Sequence, residues 1–195
     1  MGAEDSQVRA KLINLTEKIV NEEGCAAVTA SRLAQQLGLK RQIVHYYFGT
    51  IEDLLIAMLR HNSERYQRKL IAALESDEPL RVIWELGNKS TTTILELSAL
   101  AIRREAMRAE LKHYIKEYHK IQAQALKRHL ELRGIKSEIS PTVAALIMNS
   151  LSSTLVAQRA LGISLGHAET KALVENWLHT FAEQGEFFTR SNASH

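Results

Sequence analysis

The sequence predicts an all-α protein, and three observations carry this prediction. Apolar residues recur at intervals of three and four along nearly the whole chain, which is the spacing of one face of an α-helix. No segment shows the sustained alternation of apolar and polar residues that is typical of a half-buried strand. Only two prolines and nine glycines occur among 195 residues, so long uninterrupted helices can form.

Three short helices are predicted in the first fifty residues. The first ends before Gly24, and the second follows Thr29, a residue type well suited to cap a helix N-terminus. The second ends at Gly38, and the third runs from about Lys40 to Tyr47. We therefore expect residues 1–50 to form an N-terminal domain of their own.

Longer helices are predicted in residues 51–190, which we expect to form a second, larger domain linked to the first through the fourth helix. Gly87 and the polar residues after it indicate a weak break, and the final segment 191–195 (SNASH) reads as a disordered tail. The predicted helices cover about 51–75, 79–86, 90–103, 105–133, 141–161 and 168–188.

The short helices predict a helix-turn-helix, in which two helices meet at a tight turn and the second can enter the major groove of DNA. The third helix lies in the segment GLKRQIVHYYF, residues 38–48, and no acid occurs between Glu23 and Glu52. A carboxylate here would repel the phosphate backbone. Arginine suits guanine edges, glutamine suits adenine edges, and tyrosine or lysine suits phosphates. The alternative is that the aromatic residues belong to the core and the basic residues to a solvated face.

The segment from Val28 to Leu55, VTASRLAQQLGLKRQIVHYYFGTIEDLL, resembles the N-terminal signature of the TetR family of transcriptional regulators. The matching features include Thr29, the LGL turn, the Tyr47-Phe48 ending and the acid-leucine start of the fourth helix. The resemblance implies a DNA-binding domain on a larger ligand-binding and dimerisation domain. It also implies that two subunits bind a roughly palindromic operator, usually as a repressor that a small-molecule effector releases.

The resemblance implies roles for eight residues. Thr29 would cap the second helix and touch a phosphate, His45 and Tyr47 would hold the DNA backbone, and the others would approach the groove. The chain departs from the family pattern at Lys40, His45 and Ile51, where a small hydroxyl residue, a tyrosine and a lysine are usual. The implied DNA-binding residues are Thr29, Lys40, Arg41, Gln42, Ile43, His45, Tyr46 and Tyr47.

The last two predicted helices carry apolar residues on one side, which favours an intramolecular core, pairing with a second copy in a four-helix bundle, or both. A homodimer would also provide the two half-site contacts that a palindrome needs. By resemblance these two helices form the dimer interface. The residues assigned to it are Leu151, Leu155, Leu173, Trp177, Leu178 and Phe181.

The resemblance also implies an effector pocket enclosed by the fifth to eighth helices. Aromatic and methionine side chains with a few hydroxyls suit a small, largely apolar ligand. Each of these residues, taken singly, is also an ordinary core candidate. The assigned lining is Trp84, Thr91, Ile94, Leu97, Met107, Leu111, Tyr114, Tyr118, Met148 and Ser152.

Composition and sequence motifs limit the partners, the location and the function that we expect. The net charge of +3 permits a polyanionic partner without demanding one, and the single Cys25 excludes an internal disulfide. The N-terminus lacks an apolar signal core, so we expect a cytoplasmic protein with no membrane partner. We expect no cofactor and no catalytic residue, since no phosphate loop or nucleophile motif occurs. We also expect no metal, because basic residues surround the cluster of His113 and Glu117 and oppose cation binding. The alternative function is a helical small-molecule-binding protein or enzyme that does not bind DNA.

Overall fold

The computed structural model describes residues 3–89 and 92–184, and within these ranges it confirms the all-α prediction. The described residues form nine α-helices and one short 3₁₀ helix, Cys25–Ala27, with no strand among them. The predicted tail at 191–195 lies outside the described residues. The helices are α1 Ala3–Glu23, α2 Ala30–Leu37, α3 Arg41–Phe48, α4 Ile51–Leu74, α5 Pro79–Asn88, α6 Thr93–Ala101, α7 Glu105–Arg133, α8 Pro141–Ala160 and α9 His167–Gln184.

Local caps define the short helices. The Thr29 hydroxyl accepts the backbone N–H of Arg32 at 3.2 Å, which satisfies one free donor at the start of α2. Gly38 ends α2 in the left-handed conformation with φ +66°. At the start of α4, the Asp53 N–H donates to the Thr50 hydroxyl at 3.1 Å, and the Thr50 N–H donates to the Asp53 carboxylate at 3.1 Å.

Packing divides the chain into two units, of which the first comprises Met1–Tyr66 and Thr91–Ile115 as far as they are described. Its core joins α1, α2 and α3 to the first turns of α4, to α6 and to the beginning of α7. These units are defined by packing contacts. The predicted boundary at residue 50 instead divides a DNA-binding domain from a ligand-binding domain, and it stays a prediction. Fully buried side chains of this core include Leu12, Leu33, Leu54, Leu97 and Met107.

The second unit comprises Gln67–Ser90 and Lys116–His195 as far as they are described, and contains the end of α4, α5, most of α7, α8 and α9. Its apolar core includes one buried polar pair. The Asn149 amide donates to the Gln122 side-chain oxygen at 2.7 Å, so the fully buried Gln122 has a partner. Other buried side chains of this core are Ile83, Leu126, Met148, Val174 and Phe181.

The break predicted over residues 87–89 begins later than expected, because α5 continues through Gly87 and ends at Asn88, with Lys89 as its C-cap. The helix needs a glycine there for space, since α5 packs along α8. A Cβ atom at Gly87 would lie 2.6 Å from both Cβ and Oγ of Ser152. Helix α6 is also shorter than predicted and begins at Thr93, while Ser90 and Thr91 lie outside the described residues.

Among the described residues, no helix combines the length and the apolar character needed to cross a membrane.

Substituting Gly87→Ala should destabilise the protein, although alanine is the better helix former. We expect the close contact with Ser152 to cost about 1–3 kcal/mol, more than the gain of roughly 1 kcal/mol in helix propensity. Chemical denaturation would measure the change, and Glu85→Ala, at an exposed position of α5, is the control. In a Ser152→Gly background the cost of Gly87→Ala should shrink. If Gly87→Ala destabilises the protein equally in both backgrounds, the contact with Ser152 is not the reason for a glycine at this position.

Candidate nucleic-acid interface

Helix α3 divides its residues into a buried side and an exposed side. Val44 and Phe48, four residues apart, are buried in the core of the first unit. Leu33 and Ala34 of α2 are buried as well, and the small alanine permits close approach of the two helices. Leu39 in the turn between them packs against the same core. Apolar contacts with the core of the first unit therefore fix the turn and both helices.

The other side of α3 is polar and open. Arg41, Gln42 and His45 are exposed, and the Tyr46 side chain is 72% exposed. Because Val44 and Phe48 face the core, helical geometry places the Tyr46 ring and its hydroxyl on the open side of α3. The core-aromatic alternative thus applies to Phe48 and not to Tyr46.

Ile43 and Tyr47 lie at the edges of the exposed side, where both are partly buried. Tyr47 packs against the core of the first unit, and its ring meets that of Tyr46 edge-to-face with centroids 5.2 Å apart. Thr29 is exposed at the start of α2. Its oxygen accepts the Arg32 N–H, which leaves the hydroxyl proton available to an outside acceptor.

Two of the three cations in the acid-free segment are available for a ligand. Arg32 pairs with Glu23 through both terminal nitrogens of its guanidinium, one of them at 2.9 Å. This hydrogen bond, together with the arginine charge, lowers the pKa of the Glu23 carboxyl. Lys40 and Arg41 form no ion pair within the part of the chain that the structure describes. Both stand at the start of α3.

His45 is hydrogen-bonded to its own helix end. Its Nδ1 lies 2.9 Å from the carbonyl oxygen of Gly49. A carbonyl can only accept, so Nδ1 carries the proton of this bond. In the neutral ring Nε2 is then an acceptor and cannot donate to a phosphate oxygen. Only the protonated imidazole has a donor at Nε2.

The residues predicted to line an effector pocket are divided between the two units, and Thr91 lies outside the described residues. Within the first unit they are mostly buried in its core, and within the second they include the fully buried Met148. The pocket stays a prediction. The first unit contains Ile94, Leu97, Met107, Leu111 and Tyr114, and the second contains Trp84, Tyr118, Met148 and Ser152.

A groove that the sequence did not single out opens in the second unit between the end of α4 and the C-terminal half of α7. Its volume is about 530 Å³, and none of the predicted pocket residues lines it. Exposed Ile71 and Leu132 contribute apolar surface, and Arg128 contributes a charge. Periodicity could not find it, because its residues belong to two helices and are ordinary in each.

The predicted dimer residues fall into two groups. Leu151 and Trp177 are partly buried and Leu173 is exposed, so these three have surface left for a partner. Exposed Val143 and Leu146 of α8 add to that surface. The remaining three are already buried in the core of their own second unit: Leu155, Leu178 and Phe181.

The fold and this surface together define a helix-turn-helix protein with further helices. Residues 12–58 match the family described as "Bacterial regulatory proteins, tetR family". The HTH-type transcriptional regulator BetI of Rhizobium meliloti is 31% identical over 68 residues, 35% of this chain and 34% of that protein. BetI of Brucella canis is 26% identical over 125 residues, 64% of this chain and 59% of that protein. The matches thus span between a third and three-fifths of the curated relatives' length.

Solved structures extend the similarity of fold to most of the chain. A putative transcriptional regulator from Saccharomonospora viridis, in complex with choline, has TM-score 0.73 and 18% identity and covers 91% of this chain and 96% of its own. FadR from Bacillus subtilis, in complex with stearoyl-CoA, has TM-score 0.63 and 16% identity and covers 90% and 98%. Residues 12–58 of the chain thus match the TetR family of bacterial regulatory proteins, as the N-terminal segment predicted.

Substituting Arg41→Ala should relax base preference at one operator position, at a cost of roughly 1–3 kcal/mol for the preferred base. The reason is the exposed guanidinium at the start of α3, which forms no ion pair with any described residue. Binding to duplexes that differ at single positions would measure it. Lys112→Ala, which removes an equal charge from an exposed site on α7, should leave the preference intact. An equal loss on every duplex would instead make Arg41 a phosphate contact.

Proposed function

We propose that this protein is a ligand-responsive transcriptional regulator that binds double-stranded DNA. In this proposal it is a cytoplasmic repressor that binds a palindromic operator as a homodimer. A small, largely apolar inducer releases it. The DNA contacts are those of Thr29 and of the exposed face of α3.

One observation carries the DNA-binding proposal. A short helix fixed by Val44 and Phe48 exposes Arg41, Gln42 and Tyr46 together, on a segment without any acid. These side chains match base edges and phosphates.

Dimerisation is supported by the surface of α8 and α9. Leu146 and Leu173 are about half exposed, at 50% and 48%, and Leu151 and Trp177 are partly buried beside the core. Two copies could cover these side chains in a four-helix arrangement. A dimer presents two α3 helices to successive major grooves, which is how helix-turn-helix proteins bind half-sites about 34 Å apart.

The effector proposal rests on the helical remainder of the chain. Two proteins of similar fold are described in complex with choline and with stearoyl-CoA. These ligands differ in charge and size, so the fold accommodates various effectors and does not select one. The apolar inducer is proposed from the predicted lining, in which Trp84, Met107 and Tyr118 would supply apolar surface.

Selection of random duplexes with purified protein tests the proposal directly. We expect enrichment of an inverted repeat, and a complex containing two protein chains per repeat. The control is the triple substitution Arg41→Ala, Gln42→Ala and Tyr46→Ala, which changes only exposed positions and should keep the fold. The control should enrich nothing.

If the wild-type protein enriches no sequence at moderate salt, the DNA-binding proposal fails. The alternative, a helical small-molecule-binding protein or enzyme, would then be favoured. Enrichment of a single half-site without a repeat would retain DNA binding and contradict the dimer. Thermal-shift screening would search for the inducer, since a ligand that binds only the folded state raises the melting temperature.

A further inference from the structure

A carboxylate on helix α6 contacts the segment between α1 and α2. Glu96 on α6 accepts the backbone N–H of Cys25 through Oε2 at 2.6 Å. Its other oxygen, Oε1, accepts the hydroxyl of Thr92 at 3.1 Å. Beside this contact the Thr93 hydroxyl donates to the side-chain oxygen of Asn21 at 3.0 Å. All of these residues belong to the first unit.

The Cys25 N–H opens the 3₁₀ helix Cys25–Ala27, whose N-cap residue is Gly24. Glycine has no side chain to cap a helix, and no side-chain cap from Gly24 is present. Glu96 supplies the missing acceptor from 71 residues further along the chain. Cys25 is buried, so the loss of Glu96 would leave a donor without a partner in a place that water reaches poorly.

Gly24 is required for this approach in two ways. Its φ of +88° lies in a region that residues with a side chain rarely adopt. A Cβ atom at this position would also lie 2.8 Å from Oε2 of Glu96. The glycine therefore serves both the turn and the close approach of the carboxylate.

This contact lies directly before the helix-turn-helix in the chain. The 3₁₀ helix ends at Ala27, and Thr29 then caps α2, which leads through the Gly38 turn to α3. Glu96 thus holds the entry to the helix-turn-helix from the side of α6. A shift of α6 that withdrew the carboxylate would release the segment on which α2 and α3 depend.

We propose that Glu96 is a positioning residue for DNA binding: its carboxylate fixes the segment between α1 and α2, and through it the orientation of α2 and α3. This inference rests on the proposed DNA-binding function. Glu96 itself touches no DNA in this proposal. Loss of the contact between Glu96 and the Cys25 N–H lowers the affinity for the operator without unfolding the protein.

Cys25 provides a built-in reporter, because it is the only thiol in the chain. Burial, followed by the charge of Glu96, raises the pKa of the Cys25 thiol to about 12. Reaction with a thiol reagent such as 5,5′-dithiobis(2-nitrobenzoate) at pH 8 is therefore slow while the segment stays closed. Opening of the segment accelerates the reaction, so its rate reports local release separately from global unfolding.

The test compares three substitutions of Glu96 against the operator selected with wild-type protein, well below the melting temperature of every variant. Glu96→Ala removes the acceptor. Glu96→Asp keeps the charge and shortens the side chain by one methylene. Glu96→Gln keeps the length and offers an amide oxygen to the Cys25 N–H. Glu64→Ala, which removes an exposed carboxylate of the first unit, is the control.

Glu96→Ala and Glu96→Asp should each weaken operator binding and speed Cys25 labelling by about tenfold, the effect expected when a buried backbone donor loses its hydrogen-bond acceptor. Glu96→Gln and Glu64→Ala should bind the operator nearly as well as wild type. Labelling should stay near wild type in Glu64→Ala, whereas Glu96→Gln should label faster because it removes the charge that helps to raise the Cys25 pKa. If Glu96→Ala does not fold, the comparison of Glu96→Asp with Glu96→Gln still decides. Wild-type operator binding in Glu96→Asp, or a loss in Glu96→Gln as large as in Glu96→Asp, would overturn the proposal. Failure of wild-type protein to select any operator would refute the proposed function instead.

Discussion

The burial of Val44 and Phe48 is the constraint on which the DNA-binding surface depends. These two side chains lie one helical turn apart and enter a core shared with α1, α2 and α4. Because α3 is only eight residues long, fixing one side determines the direction of the other. Arg41, Gln42 and Tyr46 are exposed because the turn geometry leaves them no other direction. An isolated helix of this length would be unstable in water, so this packing creates the surface as well as orienting it.

The features that sequence reasoning found are those whose cause is local. Thr29 caps α2, Gly38 ends it with a positive φ, and Pro141 opens α8 behind the Ser140 cap, as their residue types predict. The inward positions of Leu33 and Val44 follow from spacing alone. For the caps the partner lies within a few residues, so the pattern in the sequence contains both halves of the interaction.

The features that sequence reasoning missed have a partner far along the chain. Gly87 reads as a break, yet it is a helical residue that makes room for Ser152. Gly24 reads as a stop, which it is, but it also admits Glu96 from 71 residues away. A glycine has the same letter whether it bends the backbone or yields space to a neighbour. Only the folded structure distinguishes these two roles of a glycine. The contact between Glu96 and the segment after Gly24 could therefore not be predicted from the sequence.

The acids at both ends of the acid-free segment are held by partners within the protein. Glu23 precedes it and is bound by Arg32, while Glu52 follows it and is bound by Arg104 at 2.9 Å. Asp53, the next acid, accepts the Thr50 N–H and hydroxyl at the start of α4. Each acid that borders the surface is thus committed to a partner within the first unit, which reduces its repulsion of a phosphate. Lys40 and Arg41 form no ion pair with the residues that the structure describes, so a chain with a net charge of only +3 can still present a positive surface at α3.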